Sequence, residues 1–146
     1  MTIRPLRCDE IASLVHFCGE HAAYEKAYYA PEGKSEPLRR AITAEPPRLW
    51  CLVAEIDSRI VGYATCTRGF STWRAAEYLY LDCLYVIPKF RGLGIGARMM
   101  QAVRRYATSL GCATVEWQTP AWNANAIRFY ERLGAASSEK IRFRWE

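Results

Sequence analysis

Residues 91–96 read RGLGIG, placing Gly92, Gly94 and Gly96 directly ahead of a helical pattern. The first amides of a helix lack intrahelical partners and carry partial positive charge, so a helix start of this kind attracts anions. Glycine lets backbone approach phosphate oxygens with no Cβ in the way. Lys89 and Arg91 add full charges beside the turn. The implied chemistry is the seating of a phosphate or pyrophosphate. A second candidate lies just upstream. Asp82 is the one charged residue in the apolar run Tyr78–Val86, where a carboxylate is costly unless it is partnered or used.

Two other phosphate motifs meet the same glycines. A P-loop requires lysine and then Ser or Thr after the last glycine, and here Gly96 precedes Ala97-Arg98. A dinucleotide fingerprint is formally satisfied by Gly92, Gly94 and Ala97, with Glu116 about 20 residues further on. That fingerprint joins its first glycine directly to a strand end, whereas Ile87–Arg91 intervenes and Glu116 falls inside its own strand. Two helices and a meander upstream also do not build the first half of a nucleotide-binding fold.

The elements that must position these residues follow from periodicity. Thr2–Leu6 is a short strand. Asp9 caps a helix to about Tyr24, with Ile11, Leu14, Val15 and Cys18 on one face. After a loop with Pro31, Gly33 and Pro37, a short helix carries Leu38 and Ile42 and breaks at Pro46-Pro47. Leu49–Ile56 and Arg59–Thr67 form a hairpin around Asp57-Ser58, and Phe70–Ala76 is a loop. Glu77–Val86 is nearly all apolar, as a central strand covered on both faces should be. Ile95, Met99, Val103, Tyr106, Ala107 and Leu110 then make a helical stripe closed by Gly111. Ala113–Thr119 is a strand. Asn123 or Asn125 caps a last helix with Ala126, Phe129, Tyr130 and Leu133, and Ser137–Trp145 alternates as a closing strand. The expected fold class is α/β, a mixed, mostly antiparallel sheet flanked by about four helices in the order β-α-α-β-β-β-α-β-α-β.

Length and composition bound the function. The 146 residues suit one domain, 1–146, burying about two-thirds of its unfolded surface. An apolar content of 51% and a charged content of 24% are ordinary for a globular chain. No apolar run approaches the ~18 residues of a membrane span, and MTIRPLRCDE lacks the core of a secretory signal. A cytoplasmic chain with no membrane partner is expected. The six cysteines are scattered without a CxxC pair and read as small buried apolar residues. His16, Cys18 and His21 do not share a helix face and no second cluster completes a site, so no metal is expected. The net charge of +5 is matched by Lys89, Arg91, Arg98, Arg104 and Arg105 alone, in a stretch without acidic residues.

Strand, RGLGIG and helix together resemble the arginine-x-x-glycine-x-glycine signature of the GNAT superfamily of acyl-CoA-dependent N-acetyltransferases. WNANAIRFYERLGA, Trp122–Ala135, is similar to that family's downstream helix, with its early asparagine, Phe-Tyr pair and closing glycine. The resemblance spans essentially the whole chain. STWRAAEYLYLDCLYV is similar to the histone/polyamine branch, which includes diamine acetyltransferases.

The resemblance implies acetyl-CoA as cosubstrate and a pyrophosphate seated on Arg91, Gly92, Leu93, Gly94, Ile95 and Gly96. It implies pantetheine pairing along Leu84–Val86, and Tyr130 as general acid to the coenzyme thiolate and a coenzyme contact. Asn123 is either a pantetheine contact or a plain N-cap. Transfer to an amine calls for a base, because an alkyl ammonium has a pKa near ~10. Asp82, where the family often has glutamate, is the candidate, directly or through water, with Glu116 in reserve. Tyr24, Glu25, Tyr28, Tyr29 and Trp73 are expected to line an acceptor site for a small cation such as a polyamine, a lysine-like amine or an aminoglycoside. Asp82 and Glu116 would also face that acceptor. A small-molecule partner and a homodimer are expected, without nucleic acid. Two alternatives stand beside this reading. One is a non-catalytic acyl-CoA binder. The other is a nucleic-acid module using Lys140, Arg142 and Arg144, although such alternation usually marks a half-solvated edge strand.

Overall fold

The computed structural model describes residues 1–146. Its elements are β1 (Thr2–Pro5), α1 (Ile11–Tyr24), α2 (Ser35–Thr43), β2 (Trp50–Ile56), β3 (Arg59–Ser71), β4 (Ala76–Val86), α3 (Ile95–Ser109), β5 (Val115–Trp117) and α4 (Ala124–Arg132). The strands form one sheet in the order β1-β2-β3-β4-β5. Neighbours are antiparallel except β4 and β5, which are parallel because α3 crosses over between them. Asp57 and Ser58 both take positive φ, 48° and 59°, the primed geometry that matches strand twist in a tight hairpin.

Each face of the sheet carries its own core. On one, Ile95, Met99 and Val103 of α3 pack on Ala54, Val61, Ala64, Leu79 and Leu81. On the other, Ile11, Leu14, Val15 and Phe17 of α1 pack on Val53, Tyr63 and Tyr85. Strand β4 serves both cores, which explains its largely apolar composition. It changes allegiance midway. Thr65 stands opposite Cys83 while Cys66 stands opposite Leu81, so Asp82 is an extra, bulged residue. One inserted residue reverses the side-chain alternation beyond it. Leu79 and Leu81 therefore face α3, whereas Tyr85 faces α1.

Three local expectations are corrected. Asp9 does not cap α1; it lies in the 3-10 turn Cys8–Glu10. Glu10 anchors that end instead, accepting from the Arg7 amide at 2.9 Å and from both terminal nitrogens of Arg4 at 2.8 and 2.7 Å. Arg4 also pairs with Glu55, which ties the start of α1 to β1 and β2. The hairpin strand β3 runs to Ser71, so Phe70 belongs to it rather than to a loop. The closing strand is not formed. Residues 137–146 are irregular, with Ile141, Phe143 and Trp145 at 82%, 88% and 100% exposure. β5 pairs over only three residues and offers no edge long enough for that segment to extend.

Candidate active site

Strands β4 and β5 pair only from Leu79–Leu81 to Val115–Trp117. β4 continues to Val86, so beyond Asp82 its outer edge has no strand partner, and a cavity of about 620 Å³ opens there. The bulge turns Asp82 outward at the cavity wall, solvent-exposed and without an ion pair. The expectation of a carboxylate costly to bury is thereby relieved: the extra residue takes the charge out of the strand's packed faces. Leu84 and Val86 line the same wall.

The turn into α3 forms the facing wall. Gly92 and Gly94 both take φ of +76°, which a residue with a Cβ adopts at a cost. The first bond of the helix runs from the Arg98 amide to the Gly94 carbonyl, leaving the amides of Ile95, Gly96 and Ala97 without intrahelical partners. All three residues line the cavity. Gly96 has a different task. A Cβ there would stand 3.1 Å from Cζ of Phe129, so its absence lets α4 pack on the first turn of α3. The Arg91 guanidinium is folded inward, with Nε donating to the Val86 carbonyl at 2.8 Å and the group lying 4.5 Å from the Tyr24 ring and 5.3 Å from that of Tyr85.

Helix α4 closes the site. Asn123 is its N-cap: Oδ1 accepts from the Ala126 amide at 3.2 Å and from the Tyr24 hydroxyl at 3.3 Å. Asn123 is buried, and the cap also ties α4 to the end of α1. Tyr130 packs on Trp117 and Phe129, with ring centroids 5.1 and 5.0 Å away. Burial, then the neighbouring Glu25 carboxylate and Tyr24 phenol, push its hydroxyl up to about 12. It stays protonated at neutral pH, as a proton donor must.

Tyr24, Glu25, Asp82, Leu84, Val86, Arg91, Gly92, Gly94, Ile95, Gly96, Asn123 and Tyr130 therefore share one cavity. Five expected residues do not line it, among them Tyr29, which packs against the core beneath α1. Leu93 points to solvent at 66% exposure, and Tyr28 and Trp73 are 93% and fully exposed. Glu116 pairs with Arg74. Long-range pairing, invisible to local pattern, decides these placements. Reasoning from sequence missed His21, Tyr85, Trp117, Arg128 and Arg132, all in the lining. Arg128 and Arg132 carried a legible signal, being one turn apart beside the expected Tyr130.

Unpartnered amides at a glycine turn, a strand edge without a strand partner and the half-buried Tyr130 phenol thus meet in one cavity. Residues 14–135 match the model of the Acetyltransferase (GNAT) family. The chain belongs to that family. The GNAT chain is 33% identical over 141 residues to a thialysine N-epsilon-acetyltransferase of Mus musculus, covering 91% of this chain and 82% of that protein. It is 30% identical over 135 residues to spermidine/spermine N(1)-acetyltransferase-like protein 1 of Homo sapiens, covering 88% of this chain and 19% of that protein. Among solved structures, an aminoglycoside acetyltransferase from an uncultured soil metagenomic sample superimposes with a TM-score of 0.85 at 19% identity, covering 99% and 95% of the two chains. An integron cassette protein from the mobile metagenome of V. cholerae gives 0.80 at 23% identity, covering 99% and 91%. GNAT enzymes use acetyl-CoA as cosubstrate, and the free amides at the start of α3 suit its pyrophosphate.

Proposed function

We propose that this chain is an acetyl-CoA-dependent N-acetyltransferase that transfers the acetyl group to a primary amine of a small cationic acceptor by direct attack in a ternary complex. The observation that carries the reading is one cavity uniting the unpartnered α3 amides, the protonated Tyr130 hydroxyl and the carboxylates Glu25 and Asp82. The relatives named for thialysine and for spermidine/spermine support an amine acceptor.

When bound, acetyl-CoA supplies the acyl thioester. The amides of Ile95, Gly96 and Ala97, with Arg91 and Arg128, would hold its pyrophosphate, and the edge Leu84–Val86, which has no strand partner, would hold the pantetheine arm. Backbone N–H groups on that edge polarise the acyl carbonyl. Asp82 takes the amine proton, directly or through water. Tyr130 gives its proton to the departing thiolate. Tyr24 and Glu25 bind the acceptor cation. Most of the acceleration comes from holding amine and thioester together.

Residues 1–146 act as one domain in this reading. Its six free cysteines suit the reducing cytoplasm, and no helix is long and apolar enough to cross a membrane. A homodimer would cover the exposed Ile141, Phe143 and Trp145, which sedimentation can check. The deciding test is thiol release from acetyl-CoA with spermidine, lysine derivatives, aminoglycosides and simple amines. Turnover with one class supports the reading and names the acceptor class. Tight coenzyme binding with no turnover across the panel would overturn it.

A further inference from the structure

His21 takes no part in the chemistry above, yet both nitrogens of its ring are engaged at the cavity. Nδ1 lies 3.0 Å from the Tyr63 hydroxyl. Nε2 lies 3.3 Å from Oε1 of Glu25, one helical turn further on. The ring stacks on Tyr85 with centroids 5.3 Å apart. The His21 side chain is 13% exposed and that of Glu25 35%, so the imidazole stands behind the carboxylate. With the ring neutral and Glu25 ionised, one arrangement of protons satisfies the chain. Tyr63, whose phenol is raised by burial, donates to Nδ1; the neutral ring then carries its proton on Nε2 and donates it to Glu25.

The groups facing His21 are Glu25 on its own helix, Tyr63 from β3, Asp82 and Tyr85 from β4, and Arg91 from the turn before α3. Burial lowers the imidazole; Glu25 and Asp82 oppose that and Arg91 adds to it, and the ring is neutral at neutral pH.

We propose that His21 is the positioning residue of the acceptor site: when neutral it holds the Glu25 carboxylate as the anchor for an ammonium group, and when protonated it neutralises that anchor. The inference rests on the small cationic acceptor proposed above and adds the residue that sets its affinity and lower pH limit. A diamine or polyamine gains most. One of its amines must be neutral to react while another stays charged and requires an anion.

The test uses spermidine, measured as binding to the enzyme–coenzyme A complex and as KM in turnover, between pH ~7.5 and ~5.5. Wild type is expected to lose affinity by up to ~tenfold per pH unit below the imidazole's titration. His21→Gln keeps an N–H donor for Glu25 but does not titrate, so it should restore most of the affinity and abolish that extra pH dependence. His21→Leu should raise KM by roughly tenfold with a smaller change in kcat. Nitrogen-15 spectra of wild type should show the Nε2–H tautomer, with a midpoint that falls in Glu25→Gln. An Nδ1–H tautomer, or His21→Gln retaining the wild-type pH dependence while amines still turn over, overturns the inference alone. Failure of every amine to bind or react overturns the acceptor reading as well.

Discussion

Tyr130 and Asp82 are assigned opposite proton duties, and their surroundings differ accordingly. Tyr130 is enclosed by Trp117 and Phe129, which keeps the phenol neutral. Asp82 is solvent-exposed at a bulge, where an incoming amine can reach it. Tyr130→Phe should lower kcat by about 10²-fold, the lower range for a positioned acid, with KM for acetyl-CoA little changed. Steady-state kinetics with both substrates varied will separate the two terms. Asp82→Asn should cost most at neutral pH. The deficit should shrink as pH rises toward the amine pKa of about 10, because solvent then supplies the neutral amine without a base. A loss of activity independent of pH would point to a binding role for Asp82 instead.

At the scale of elements, the glycine turn has two distinct requirements. Gly94→Ala forces a Cβ into left-handed backbone and should cost about 1–2 kcal/mol of stability, with weakened coenzyme binding, measurable by denaturant unfolding and calorimetry. Gly96→Val should instead disturb the packing of α4, because Phe129 stands where the side chain must go. The junction of α1 with the sheet depends on charge. Arg4 holds Glu10 through side-chain hydrogen bonds and lowers its carboxyl from 4.5 to about 2. A group depressed in the folded state stabilises above its unfolded pKa and is lost as pH falls through the folded value. Glu10→Gln should therefore be less stable than wild type at neutral pH. That gap should close as pH drops from about 4.5 to about 2, as thermal melts across that range will show.

For the molecule as a whole, the cavity is assembled from both sides of the sheet. The end of α1 contributes Tyr24 and Glu25, β4 contributes Asp82, Leu84, Tyr85 and Val86, and the glycine turn before α3 and Tyr130 of α4 complete it. A ligand that bridges these elements stabilises the folded chain by mass action. Coenzyme A at a hundred times its Kd should contribute ~2.7 kcal/mol and raise the melting temperature by roughly 5–10 °C. Nucleic acid, in contrast, should give no such protection.

Local pattern was enough to read the helices α1, α3 and α4, the hairpin at Asp57-Ser58, the central strand and the glycine turn, since each rests on interactions a few residues apart. The cap of α4 was legible as Asn123 or Asn125, with the structure deciding for Asn123, and the family was legible through its two motifs. The tertiary structure decided what depends on distant partners. Whether 137–146 extends the sheet depends on the length of the edge offered by β5. Whether Trp73 and Glu116 reach the site depends on where the β3–β4 hairpin points and on Arg74. That Asp82 faces the cavity follows from a bulge created by register against β3, which no periodicity within β4 reveals. His21 is the plainest case. Its sequence neighbours offer Glu25 one turn on, but the ring's tautomer and seat depend on Tyr63 and Tyr85, from strands more than forty residues away.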